Sequence, residues 1–207
     1  LVALVPILIL PYYSVIGGWV IKYFTVFISG QAHAAAEDAY FSGFISQTTE
    51  PIIWFALFVT FTAVVVILGV EKGIETVSKF MMPVLVVLTI GVSVYVLTID
   101  GAWEGVKYYI MPHMSDFSLK TLLAAMGQLF YSMSLAMGIM ITYGSYMKKT
   151  TRLESSVRQI EIFDTAIAFF AGLMIVPAVF AFSGGDTTKL NAGPGLMFIT
   201  LPKVFDS

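Results

Sequence analysis

The chain has 207 residues, 58% of them hydrophobic and only 12% charged, about half the charged share of an ordinary globular protein. A soluble chain of this length could not hide so much apolar surface, whereas a lipid-facing protein has no need to. The net charge of −2 argues against a nucleic-acid binder, and the absence of cysteine excludes disulfides, cysteine zinc sites, iron–sulfur clusters and thiol nucleophiles. Two histidines cannot build a histidine-rich metal site.

A bilayer core about 30 Å thick takes about 20 residues of apolar helix. Five stretches meet that length, at about 1–28, 51–70, 77–99, 121–147 and 156–183. Their length and spacing predict helices and not the alternating short strands of a barrel. The fold class is therefore all-α: one polytopic transmembrane domain over 1–207. The sequence opens at Leu1 already inside an apolar run, with no charged lead-in of the kind a signal peptide has. It is expected to be a middle section of a larger membrane protein.

The first stretch carries Lys22 as its only charge, and Pro11-Tyr12-Tyr13 lies in its middle. A tyrosine hydroxyl at that depth needs a partner, either a neighbouring helix carbonyl or a ligand. The next connector holds Glu37, Asp38 and Glu50 and no lysine or arginine. The connector after the second stretch holds Lys72 and Lys79, and the one after the fourth holds Lys148, Lys149, Arg152 and Arg158. The longer connector between the third and fourth holds Lys107 and Lys120. The positive-inside rule makes the Lys72 and Lys148 connectors cytoplasmic, so the first stretch runs from inside to outside. Trp54 and Trp103 fall near the expected membrane ends, and Trp19 lies deeper. Glu71 and Glu75 share a helical face beside Lys72 and Lys79, which reads as a solvated helix start. Gly73 and Pro83 are separated by nine residues at the cytoplasmic end of the third stretch, where Pro83 removes a helix bond and kinks the chain.

The fourth stretch is the unusual one. Its middle reads Gly127-Gln-Leu-Phe-Tyr-Ser-Met-Ser-Leu-Ala-Met-Gly138. Ser132 and Ser134, two apart, share no face of an intact helix. Either the helix opens there and offers backbone and hydroxyl oxygens at the membrane midplane, or small residues allow close packing and each serine bonds its own helix. Asp164 is the second oddity. It is either a membrane-buried carboxylate with a partner and a role, or a first-turn residue of a shorter span. Beyond the fifth stretch, Asn191-Ala-Gly-Pro-Gly is loop chemistry, and about 195–205 reads as a re-entrant or surface helix on the outer side. Neither a phosphate-binding glycine loop nor a nucleophile–base pair is visible, so no enzyme is expected.

Together these segments resemble the neurotransmitter:sodium symporters of the leucine-transporter fold. Gly127–Gly138 followed by Ile141-Thr-Tyr-Gly-Ser-Tyr146 is similar to the family's discontinuous sixth helix. Tyr12-Tyr13 with Trp19 is similar to the third, Gly73–Pro83 to the Gly-x9-Pro fifth, and Phe198-Ile-Thr-Leu-Pro202 to the fourth outer loop. The order fits helices three to seven, a partial inverted-repeat fold that straddles the repeat boundary.

The resemblance implies a multi-pass transporter of a plasma membrane, in a bacterium the inner membrane, that moves bulky hydrophobic L-amino acids with sodium by alternating access. A non-transporting membrane subunit or receptor-like protein is the rival. Tyr13 matches the tyrosine that holds the substrate carboxylate, and Ile9, Ser134 and Met137 would line the side-chain pocket. Tyr131 would cap the substrate, with Gln128 near the outer gate. Ser132 would serve both substrate and sodium, and Asp164 stands where the family has a sodium-ligating asparagine. One turn on, where chloride-dependent members have serine, this chain has Ala168. Chloride is therefore expected to be dispensable. Gly73 and Pro83 would gate the cytoplasmic path. The expected partners are the amino acid, sodium ions, the bilayer and the remaining helices of the parent transporter, with no nucleic acid.

Overall fold

A computed structural model describes residues 3–112, 114, 117–186 and 194–206. Every regular element among them is helical. Helix α1 covers Leu4–Ile28, α2 Ala32–Ala35, α3 Asp38–Ile45, α4 Thr49–Ile67, α5 Thr76–Val96, α6 Ala102–Ile110, α7 Leu119–Ser132, α8 Ile139–Tyr146, α9 Leu153–Ser183 and α10 Pro194–Asp206. A π-helical turn, Val70–Glu75, leads straight into α5. Among the described residues, four helical stretches are long and apolar enough to cross a membrane: α1, α4, Lys72–Val96 and α9. The stretch expected at 121–147 is split into α7 and α8, each shorter than a span.

The connectors hold helices that apolar patterning does not announce. Helices α2, α3 and α6 are short, and α3 and α6 mix polar with apolar residues. The loop expected at Asn191-Ala-Gly-Pro-Gly lies for its first three residues outside the described ones.

Two groups of helices form. In the first, α1 crosses α4 so closely that a Cβ on Gly18 would lie 2.7 Å from the Phe55 backbone nitrogen. Lys22, the one charge on α1, is neutralised by Glu50 at 2.5 Å and stands over the rings of Phe44 and Trp54. In the second group, α9 packs against α5 and α6. Gly105 of α6 lies against Pro177 of α9, where a Cβ would come within 2.6 Å of the proline Cα. Ser93 of α5, fully buried, shares its one hydroxyl proton between the Thr89 carbonyl one turn back (2.7 Å) and the Phe170 carbonyl of α9 (3.0 Å).

Helix α10 joins the two groups. Phe198 inserts among Trp19, Tyr23 and Phe41 on one side, stacked on Phe41 at 5.4 Å. Val204 completes the cluster of Val96, Ala102 and Ala178 on the other. The outward faces of α1, α4 and α5 keep large apolar side chains exposed, such as Leu8, Phe61 and Phe80, as a lipid-facing surface does.

Candidate functional site

The site is built where α7 stops. Leu135 N–H donates to the Phe130 carbonyl (2.9 Å) and Ser134 N–H to the Tyr131 carbonyl (3.1 Å). This six-to-one and five-to-two pair is a Schellman ending, with Ser134 in the left-handed position at φ +53° that glycine usually takes. Ala136 follows at φ +59° and Gly138 at φ +74°, after which α8 begins. Two non-glycine residues in the left-handed region within three positions hold about 1–2 kcal/mol each of backbone strain. The opened stretch Met133–Gly138 leaves the ladder of an ordinary span interrupted, so that the end of α7 and the start of α8 both present backbone polar groups there.

The side chains around the break come from three helices. Ser132, the last residue of α7, donates its hydroxyl to Asp164 Oδ1 of α9 at 2.6 Å. Asp164 is half-buried and is the twelfth residue of α9, about 16 Å along the axis from the helix start. The first-turn reading of Asp164 is thereby replaced, since Glu154 holds that place. Tyr131, one residue before Ser132, stacks on Tyr13 of α1 with ring centres 6.4 Å apart. Tyr12 meets Tyr13 edge-on at 5.9 Å. Ile9, one turn earlier on α1, and Met137, within the break, are half-buried. Gln128 lies one turn before Ser132 and is exposed on α7. The structure thus brings Tyr13, Tyr131, Ser132 and Asp164 together and puts Ser134 and Met137 in the opened stretch beside them. Gly73 and Pro83 lie elsewhere.

Those two belong to the turn between α4 and α5. Gly69 turns the chain at φ +85°, and the π-helical turn Val70–Glu75 replaces the ordinary helix start expected there. A Cβ on Gly73 would lie 2.0 Å from the Val65 carbonyl oxygen, so only glycine fits. Glu75 and Lys79 pair at 2.6 Å on the exposed surface. Helix α5 stays continuous through Pro83, which leaves the Lys79 carbonyl without its usual amide.

Sequence reasoning missed Ser93. A serine in an apolar helix ordinarily bonds its own preceding turn, and nothing in the pattern announces a second acceptor 77 residues away on the helix that carries Asp164. Tyr109 adds a second tie to the same region, donating to the Phe169 carbonyl at 3.3 Å. No cluster of three or more histidine or acidic side chains occurs among the described residues. The donors around the break are hydroxyl, carboxylate and carbonyl oxygens, the set a hard alkali or alkaline-earth cation takes and a soft transition metal does not.

The sodium:neurotransmitter symporter family profile matches residues 39–207. The chain belongs to that family. It is 39% identical over 202 residues to the uncharacterized sodium-dependent transporter YhdH of Bacillus subtilis, a match that takes in 96% of this chain and 44% of that protein. A sodium-dependent transporter of Haemophilus influenzae is 34% identical over 204 residues, with 95% and 44% covered. The crystal structure of MhsT in complex with L-phenylalanine superposes with a TM-score of 0.85 at 43% identity, covering 96% of this chain and 45% of that one. The chain therefore spans somewhat under half the length of the relatives it matches. The fold is that of a multi-pass helical membrane protein with a discontinuous helix, α7–α8.

Proposed function

We propose that the protein containing this chain is a sodium-coupled symporter of bulky hydrophobic L-amino acids, working by alternating access and catalysing no chemical reaction. The observation that carries the reading is the break after Ser132, which places a hydroxyl against the Asp164 carboxylate beside the stacked Tyr13–Tyr131 pair. A phenol donor suits an amino acid carboxylate, and the opened backbone supplies oxygens to a cation. In this reading Ser132 and Asp164 ligate sodium. Tyr13 holds the carboxylate, and Ile9, Ser134 and Met137 line the side-chain pocket. Tyr131 and Gln128 close it from outside. Met137 gives the pocket an adaptable apolar wall that accepts several side-chain shapes. A sodium gradient then drives uptake, aided by about 2.3 kcal/mol per 100 mV for each charge moved inward.

Asp164 also bears on the anion question. Its negative charge sits where a neutral amide would leave the cation uncompensated, and Ala168, one turn on, offers no hydroxyl to an anion. The carboxylate therefore takes the place of chloride, and transport is chloride-independent. The Gly73–Pro83 segment is the inner gate, unwinding to let water reach the site from the cytoplasm. The names of relatives support sodium dependence, and L-phenylalanine bound to MhsT supports a hydrophobic substrate.

The test is accumulation of radiolabelled leucine, phenylalanine, tyrosine and tryptophan by the full-length parent in vesicles. Uptake against a concentration gradient under an inward sodium gradient, and none under potassium, is expected. Uptake indifferent to the cation gradient would overturn the symporter reading. Absence of uptake of every amino acid would turn it towards a non-transporting subunit.

A further inference from the structure

Helix α10 closes the end of the molecule opposite to the basic connectors. Beside the apolar packing of Phe198 and Val204, a polar link fastens its last turn. His33 Nδ1 of α2 and Asp206 Oδ2 of α10 lie 2.8 Å apart across 173 residues of chain. Below them a pocket of about 330 Å³ is lined by His33, Ala36, Glu37, Phe182, Lys203 and Asp206. Among the described residues, the groups that face the imidazole are Glu37 at the head of α3 and Lys203 and Asp206 of α10. Among the described residues lining it, helix α9 contributes the apolar Phe182.

The imidazole is 92% exposed and the carboxylate 26%. Protons of the surrounding medium therefore reach His33 freely, while Asp206 is held in place by the helix it ends. The hydrogen bond to Asp206 raises the histidine pKa above its ordinary 6.5, and the negative charges of Asp206 and Glu37 act in the same direction. A raised histidine pKa makes the link strongest below the ordinary value and weakens it as pH rises through the raised one. A charge-assisted bond is about twice as strong as its neutral counterpart, so loss of the proton loosens the link without breaking the packing above it.

We propose that His33 and Asp206 form a proton-controlled clasp that pins the last turn of α10 to α2 when the imidazole is charged and releases it when the imidazole is neutral. The clasp acts on the element that bridges the two helix groups. By the positive-inside rule applied to the basic connectors, it faces the outer medium, whose pH varies. It needs no particular substrate, so its test stands apart from the transport reading.

The experiment is hydrogen exchange of residues 194–206 in the full-length parent in lipid nanodiscs at pH 5.5 and 8.5. Rates are corrected for intrinsic chemical exchange, and α1 serves as the internal reference. Wild-type protection of α10 is expected to fall about two- to fourfold at the higher pH, the range an exposed ion pair commands. His33→Lys, which keeps the cation but cannot titrate in this window, should stay at the protected level at both values. His33→Gln and Asp206→Asn should sit at the weaker level at both. A pH response that persists in His33→Gln, one abolished only by Glu37→Gln, or a flat wild-type profile would overturn the proposal.

Discussion

Two places in this chain depart from the α-helical ladder, and they do so in opposite ways. At Val70–Glu75 the helix widens by one residue per turn but keeps its bonds, with Gly73 pressed against the Val65 carbonyl. At Met133–Gly138 the ladder stops, three residues take positive φ, and a hydroxyl and a carboxylate meet beside the gap. The first is a closely packed joint. The second is an open one with a hydroxyl and a carboxylate beside it. A π-turn costs little exposure, so it suits a moving part, whereas an open break needs a ligand or a polar neighbour to satisfy it.

Substitutions separate the two. The largest effect is expected at the open break. Asp164→Asn removes the charge that Ser132 faces, and a hydrogen bond to a charged group contributes about 1.5–3 kcal/mol. Sodium-dependent binding should fall about tenfold or more, with added chloride restoring part of it. Full binding in chloride-free buffer would refute the charge-replacement argument.

At the closed joint Gly73→Ala forces a Cβ to within 2.0 Å of the Val65 carbonyl oxygen. Overpacking of that kind costs about 1–3 kcal/mol. A lower unfolding temperature is expected, read by thermal melting in detergent, with affinity for sodium unchanged because the site lies elsewhere. Loss of sodium affinity along with stability would show the two regions to be one unit. Pro83→Ala restores the amide that the Lys79 carbonyl lacks and stiffens α5. Stopped-flow release on the inner side should slow severalfold, while equilibrium binding from outside stays intact.

The smallest effect returns to the break. Ala136→Gly at φ +59° relieves about 1 kcal/mol of left-handed strain and should raise thermal stability slightly without changing binding. A fall in stability would mean that the Ala136 methyl makes contacts worth more than the strain.

The same contrast shows what a sequence discloses. Long apolar runs separated by charges announce the spanning helices, because lipid leaves few alternatives to them. The open break shows as two serines framed by Gly127 and Gly138. Its left-handed positions do not show, since propensity would assign them to glycine and the chain places Ser134 and Ala136 there. The short helices α2, α3 and α6 escape notice because they are held by packing against longer neighbours and not by a long apolar face of their own. The ties of Ser93 to Phe170 and of His33 to Asp206 escape for another reason. Each joins residues whose nearness is a product of the fold, and each residue alone has an ordinary local role. The roles proposed for Tyr13, Ser132 and Asp164 rest on resemblance to a family, since the spacing of those residues alone leaves two readings open.

The most direct test of the open break as a sodium site is equilibrium binding of L-phenylalanine to the purified full-length parent. Sodium is compared with potassium, and chloride with gluconate. The account predicts binding that rises with sodium, is absent in potassium and is the same in chloride and gluconate. Binding of equal strength in potassium, or binding that requires chloride, would contradict the assignment of Ser132 and Asp164.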